Sequence, residues 1–112
     1  MKILTRPNDG GAQRVKYSLK ERENDMNDFL KNLNLLSTTE MGVKRIKRNL
    51  GIDTDEVVAW CKAAILKAEK SLKVVATRNG KNWYVYTSDI AVTVNAGSFT
   101  IITAHKLKTA YF

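Results

Sequence analysis

The residue best suited to acid–base chemistry in this chain is its single histidine, His105. Histidine exchanges a proton near neutral pH, which makes it the commonest general acid or base in enzymes. In RNA cleavage it would activate the 2′-hydroxyl group or protonate the leaving 5′-oxygen, and Arg45 or Arg78 would stabilise the charged phosphorane. If the protein is an enzyme, we therefore expect a metal-independent ribonuclease with His105 and Arg45 as catalytic residues. A structural histidine near a strand end is the alternative.

A cluster of basic residues is the strongest electrostatic feature. The net charge of the chain is +8, to which segment 37–50 contributes +3, whereas segment 51–71 is −1. Localised positive charge attracts polyanions, and arginine binds phosphate through two parallel hydrogen bonds. Four residues of segment 37–50 are therefore predicted to bind nucleic acid: Lys44, Arg45, Lys47 and Arg48. An ordinary solvated helix face is the alternative.

A second group of candidate nucleic-acid contacts lies in the C-terminal part of the chain. Arg78 and Lys81 flank the dipeptide Asn79-Gly80, a strong signal for a tight hairpin turn. Tyr84 is suited to stack on bases, although cross-strand packing explains it equally well. The remaining candidates are polar residues expected on an open sheet face: Asn82, Ser98 and Thr100.

Three helices are expected to precede these strands. Each predicted start has a cap residue followed three positions later by an acid: Ser18 with Glu21, Ser37 with Glu40, and Asp53 with Glu56. Apolar residues at helical spacing then predict helices over about 18–34, 38–50 and 54–70. Cys61 lies in the apolar stripe of the third helix, where we expect a small core residue.

The pattern changes to a period of two after residue 71. Segments 73–78, 81–86, 90–95 and 98–106 alternate between apolar and polar residues and are separated by turns. The expected fold is α+β, with three N-terminal helices packed on one face of a four-stranded antiparallel β-meander. We expect residues 1–17 to form a flexible arm and residues 18–112 a single domain.

Turn positions predict the register and the two faces of the sheet. Two-residue loops at 79–80 and 96–97 pair Ala76 with Trp83 and Val94 with Phe99. The inward face is then Val74, Ala76, Trp83, Val85, Ile90, Val92, Val94, Phe99 and Ile101. The outward face is Thr77, Asn82, Tyr84, Tyr86, Thr93, Asn95, Ser98 and Thr100. Strict alternation puts His105 on the inward face, so a catalytic His105 requires a bulge or a site at the strand end.

The sequence lacks the residues that several classes of chemistry require. One cysteine and one histidine argue against a zinc site, and the chain has no phosphate-binding glycine loop. We therefore expect neither a cofactor nor a metal. No apolar run has the length of a membrane span, and one cysteine allows no internal disulfide. We expect a cytoplasmic protein that does not enter a membrane.

Several stretches resemble a family of small bacterial proteins known only as a domain of unknown function. The resemblance begins at TTEMGVKRIKRNL (38–50), resumes at 80–85, and is most specific at VTVNAGSFTIITAHK (92–106). It covers roughly residues 36–106 and implies no activity, because none is assigned to the family.

A weaker similarity concerns architecture. Helices followed by a four-strand meander, with threonine and histidine in the last strand, are similar to the barnase–EndoU–RelE class of small ribonucleases and toxins. Proteins of that class tend to be basic and to hold RNA on the sheet face away from the helices. The similarity implies a toxin-like, RNA-binding protein and favours RNA over DNA. The alternative is a non-catalytic inhibitor or regulator that binds a nucleic-acid-processing protein or an acidic protein partner.

Overall fold

A computed structural model of the chain describes the backbone of residues 19–108 and the side chains of residues 25–108. It confirms the α+β fold, with three helices followed by a four-stranded antiparallel sheet in sequence order. The arm predicted for residues 1–17 lies outside the described residues. The elements are α1 (Leu19–Lys31), a 3-10 turn (Leu33–Leu35), α2 (Glu40–Leu50), α3 (Val57–Lys70), β1 (Val75–Asn79), β2 (Asn82–Tyr86), β3 (Ile90–Asn95) and β4 (Ile101–Lys106).

The helices cover one face of the sheet around Phe29. The Phe29 ring centroid lies 5.6 Å from that of Trp83 and 5.6 Å from that of Phe99. Every residue predicted for the inward face is buried, and so is Cys61. Burial raises the pKa of the Cys61 thiol to about 11, because the thiolate would lose its hydration. The two-residue period therefore identified the core side of the sheet correctly.

Helix α2 begins two residues later than predicted, and its cap is shifted by the same two residues. Thr39 caps the helix, because its Oγ1 accepts a hydrogen bond from the backbone N–H of Gly42 at 3.0 Å. The predicted cap, Ser37, instead exchanges backbone hydrogen bonds with the chain around β4, through Phe99 and Ile101. The capping prediction at Ser37 was wrong because that residue extends the sheet.

Helix α3 also begins later than predicted, at Val57. The predicted cap, Asp53, lies in a loop where the Oγ1 of Thr54 accepts a hydrogen bond from the backbone N–H of Glu56. Glu56 precedes the helix and makes no side-chain cap bond. A local turn therefore satisfies the donor that a capping box would use.

Helices α2 and α3 end in the same left-handed turn with different residues. Gly51 closes α2 at φ 64°, and Leu72 follows α3 at φ 57°. In both cases the next residue returns a backbone bond into the helix, from Ile52 to Lys47 and from Lys73 to Ala68. Leucine is strained in this conformation, whereas glycine is not.

The first hairpin is offset by two residues from its predicted register. Ala76 pairs with Val85 and not with Trp83, because the turn residues are Gly80 and Lys81. A shift by an even number of residues leaves each side chain on its expected face.

The last hairpin departs further from prediction. Residues 96–99 form a four-residue loop, and Phe99 adopts a positive φ of 55° that turns its ring into the core. Val94 pairs with Ile101 but Thr93 pairs with Thr103, so Ile102 is a β-bulge without a partner on β3. The bulge reverses the alternation after Ile102, and the prediction that His105 faces inward was wrong.

Candidate nucleic-acid interface

The sheet face opposite the helices, called here the outer face, is built from cross-strand rows. One row runs through Asn79, Asn82 and Asn95. The second runs through Thr77, Tyr84, Thr93 and Thr103. The third runs through Val75, Tyr86, Ala91 and His105. None of these positions carries a carboxylate or a permanent positive charge, so the outer face offers hydroxyl, amide, aromatic and imidazole groups.

His105 is exposed on the outer face because of the bulge. It lies opposite Ala91, at the end of the row that contains Tyr86. Its Nδ1 atom lies 3.2 Å from the carbonyl oxygen of Lys106. A carbonyl oxygen only accepts hydrogen bonds, so Nδ1 is the donor in this contact, and the bond does not use Nε2.

Helix α2 lies along the free edge of β4 and is fixed there by hydrogen bonds. Thr38 Oγ1 donates to the Ile101 carbonyl oxygen at 3.0 Å. Arg45 Nη1 donates to the Ile102 carbonyl oxygen at 3.3 Å, and Asn49 Nδ2 lies 3.4 Å from Thr103 Oγ1. The successive contacts show that the helix and the strand run in the same direction. The guanidinium group of Arg45 thereby contacts the strand that carries His105.

The exposed bases of α2 form what we call the basic border: Lys44, Arg45 and Arg48. Arg45 uses one guanidinium N–H on Ile102 and keeps others available, because the group carries five donors. Neither Lys44 nor Arg48 forms an ion pair with the residues whose side chains are described. Three of the four cations of α2 are therefore exposed and outside any ion pair among the described side chains.

Lys47, the fourth predicted base of this helix, has an acidic partner. Its Nζ lies 2.7 Å from Asp55 Oδ1, and the hydrogen bond and charge of Lys47 lower the pKa of that carboxyl group. The net charge of +3 on segment 37–50 does not include this acid. Asp55 lies in the loop before α3, and an argument from the residues of α2 alone does not consider that loop. Lys47 is therefore left out of the basic border.

Arg78 lies on the helix side of the sheet and not beside the outer face. It pairs with the inward-facing Trp83, and its guanidinium carbon lies 5.9 Å from that ring centroid. Its Nε donates to the Gly80 carbonyl oxygen at 3.0 Å, and its backbone N–H lies 3.5 Å from Asp25 Oδ2. Lys81 occupies the exposed turn. The structure thus separates Arg78 from His105 and the basic border.

Ser98 and Thr100 lie in the chain leading into β4, where the sequence predicted continuous strand. Their hydroxyl oxygens are 2.8 Å apart. Asn95 Oδ1 accepts hydrogen bonds from the backbone N–H groups of Gly97 and Ser98 at 2.9 and 3.0 Å. Asn95 therefore shapes this loop, beside the outer-face row that includes Asn82.

Two residues that the sequence did not single out also belong to this region. Asn49 and Thr103 link α2 to β4 through their side chains. Thr103 is placed by the bulge, and Asn49 by the packing of the helix beside the strand. Neither has a local sequence signal, because both positions depend on contacts between distant segments.

Two kinds of feature are absent from the described part of the chain. No three residues among His, Cys, Asp and Glu are grouped as a metal site there. No described helix is both long enough and apolar enough to cross a membrane.

Together these features define a class of small α+β domain with an uncharged outer sheet face and a basic helix along one edge. Residues 30–105 match the model of the family described as protein of unknown function (DUF3781), and the chain belongs to that family. The match extends from the last two residues of α1 to His105 in β4. No curated protein and no solved structure matches the chain.

Proposed function

We propose that this protein is a cytoplasmic domain that binds single-stranded RNA on its outer face. The observation that carries the proposal is the combination of a face without carboxylates and the basic border beside β4. Single-stranded RNA exposes flat bases and a charged backbone at the same time. An uncharged polar surface suits the bases, and the flanking cations suit the phosphates.

The bases are assigned to the two tyrosines and the neighbouring amides. Tyr84 and Tyr86 are half-buried on the outer face, which holds their rings and leaves part of each accessible. Asn82 Nδ2 lies 3.3 Å from the Tyr84 hydroxyl oxygen, so these two side chains are already positioned. Stacking on an aromatic ring is worth about 1–3 kcal/mol per base and tolerates any sequence.

The phosphates are assigned to the basic border. Lys44, Arg45 and Arg48 are exposed on the helix that runs beside β4, and Arg45 reaches the strand itself at Ile102. If each neutralises one phosphate, the logarithm of affinity should fall with the logarithm of salt concentration at a slope of roughly −2. RNA is favoured over DNA by the architectural resemblance, and Thr93 and Thr103 supply hydroxyl groups on the outer face that would bind a 2′-hydroxyl.

Cleavage of the bound RNA is the catalytic form of this proposal. The exposed Nε2 of His105 would accept the 2′-hydroxyl proton as the 2′-oxygen attacks phosphorus, and the leaving 5′-oxygen would take a proton from the imidazolium or from water. The charge on phosphorus would be stabilised by Arg45 or Arg48. A ribonuclease or toxin of this kind is what the resemblance to the barnase–EndoU–RelE class implies.

Binding is tested with a labelled single-stranded oligoribonucleotide and its DNA counterpart. Replacing both Arg45 and Arg48 with Ala should weaken RNA binding by about tenfold or more and reduce the salt slope by about 1.4. Lys62→Ala in α3 is the matched control and should leave both unchanged. RNA affinity that is independent of salt, or equal losses in the control, would refute the proposed interface.

Cleavage is tested separately with His105→Gln. The catalytic form predicts that this variant retains RNA binding and loses cleavage over about pH 5–8. If the native protein cleaves no RNA in this range, or the variant cleaves equally well, the binding proposal stands without catalysis by His105.

A protein partner is the second candidate, and two exposed apolar side chains favour it. Met41 is 67% exposed and lies one helical turn before Arg45, whose guanidinium contacts the strand at Ile102, itself 37% exposed. Apolar groups beside a cation suit an acidic protein surface, such as that of a nucleic-acid-processing enzyme under inhibition. A Met41→Ser variant that keeps full RNA affinity but loses such a partner would favour this function.

A further inference from the structure

A cleft of about 440 Å³ lies between α3 and the turn that connects β2 with β3. Its volume is within the usual range for small-molecule sites, roughly 300–1,000 Å³. The lining combines an aromatic ring, small apolar residues, cations, hydroxyl groups and one acid. Nothing in the proposed RNA interface uses this cleft.

The apolar wall of the cleft comes from one face of α3. Trp60, Ala64 and Ala68 are spaced by four residues and therefore lie above one another. All three are partly exposed, and Ile90 adds a buried apolar side chain from the start of β3. The alanines leave open the space beside the indole that larger side chains would fill. The wall is suited to a flat ring.

The charged part of the rim is basic overall. Lys67 lies on the same helix face as Trp60, and Lys73 is brought to the cleft by the left-handed turn at Leu72. Neither lysine has an ion-pair partner among the described side chains. Asp89 is the one carboxylate in the lining. Two lysines against one carboxylate favour an anionic group on the ligand.

The turn opposite α3 is held in place independently of any ligand. The Thr87 hydroxyl oxygen is buried and accepts the backbone N–H groups of Asp89 and Ile90 at 3.1 and 3.0 Å. The Asp89 carbonyl oxygen accepts the backbone N–H of Leu107 at 2.9 Å. These bonds fix the backbone that carries Ser88 and Asp89, so the cleft is built before it is occupied.

We propose that this cleft binds a nucleoside phosphate. The base would stack on Trp60, Lys67 and Lys73 would bind the phosphate, and Asp89 would accept hydrogen bonds from ribose hydroxyl or base amino groups. A free mononucleotide and one nucleotide of a bound RNA present the same chemistry. Only the second source rests on the proposed RNA-binding function, because the cleft adjoins the sheet end where His105 and Tyr86 lie.

The test follows the Trp60 indole N–H resonance by NMR, assigned with the Trp60→Phe variant, during titration with 5′-AMP. We expect a saturating shift in the low-millimolar range, with adenosine and ribose 5-phosphate each bound at least about tenfold more weakly. Lys67→Ala and Lys73→Ala should each weaken 5′-AMP binding by about three- to tenfold. The matched control is Lys70→Ala, an exposed lysine of the same helix outside the cleft, which should change affinity less than about twofold.

A second titration uses single-stranded oligoribonucleotide. If 5′-AMP has no effect but RNA shifts the Trp60 resonance in a manner that depends on Lys67, the cleft holds one nucleotide of bound RNA. If neither ligand shifts this resonance, or if Lys70→Ala weakens binding as much as Lys67→Ala, the proposal is overturned. Arg45 and Arg48 variants separate the two proposals, since they should lose RNA binding and keep that of 5′-AMP.

Discussion

Gly42 provides a sharp test of how α2 is joined to the sheet. Alanine is normally favoured over glycine inside a helix by up to about 1 kcal/mol. At this position a Cβ atom would lie 2.0 Å from Thr38 Oγ1, and the same hydroxyl donates to the Ile101 carbonyl oxygen. We therefore expect Gly42→Ala to destabilise the protein, against the helix propensity.

The expected magnitude follows from the groups that must move. Thr38 must shift by more than about 1 Å to reach normal van der Waals contact, which breaks its bond to Ile101 and costs about 1 kcal/mol. Overpacking adds about 1–3 kcal/mol, from which up to about 1 kcal/mol of helix propensity is subtracted. The net loss is about 2 kcal/mol of unfolding free energy. With a urea slope of about 1.5 kcal/mol per molar, the midpoint should fall by roughly 1 M.

Urea unfolding of a double-mutant cycle measures this directly. Thr38→Ala alone should cost about 1 kcal/mol, and in its presence Gly42→Ala should become nearly neutral. The two substitutions should thus be coupled by more than about 1 kcal/mol. A stabilised Gly42→Ala variant, or additive effects of the two substitutions, would refute the close approach of Thr38 to Gly42.

Three further predictions concern strain, titration and loop structure. Leu72→Gly should raise the unfolding free energy by about 0.5–1 kcal/mol and the melting temperature by a few degrees, because the left-handed turn suits glycine and the Leu72 side chain is 87% exposed. Gly51→Ala should lower both quantities for the same reason. Burial raises the pKa of the Cys61 thiol to about 11 from an ordinary 9.0, so the unfolded chain releases this proton first as the pH rises. The unfolding free energy should therefore fall by about 2 kcal/mol between pH 9 and 11, and by less in Cys61→Val, as measured by urea unfolding at each pH. Asn95→Ala should cost about 1–2 kcal/mol in the same assay, and Asn95→Asp should recover most of it by keeping the oxygen acceptor that holds the 96–98 turn.

Much of the fold could be predicted because local patterns and burial agree. The two-residue period of segments 73–106 identified the inward face even though the first hairpin is offset by two residues. An even offset exchanges partners without exchanging faces. The helices were likewise identified by apolar spacing, which the core requires.

The candidate site was harder to predict because its geometry comes from long-range contacts. The bulge at Ile102 occurs where β4 packs beside α2, and no residue type near it predicts an interruption of the two-residue alternation. Lys47 pairs with Asp55, which lies in a loop that an argument from the helix face alone does not consider. Arg78 lies beside Trp83 because of the strand register, which the hairpin signal alone does not determine.

Because Ile102 has no partner on β3, the face on which each later side chain of β4 lies depends on the number of residues in the strand. Before it, β4 keeps its side chains in phase with the core, and after it Ala104 is buried while His105 is exposed. Deleting one residue here would exchange those two positions, burying an imidazole and exposing a methyl group. Inserting or deleting two residues would keep Ala104 buried and His105 exposed. Across relatives of this chain, the parity of the spacing between Phe99 and the histidine should therefore vary less than the residue types in between.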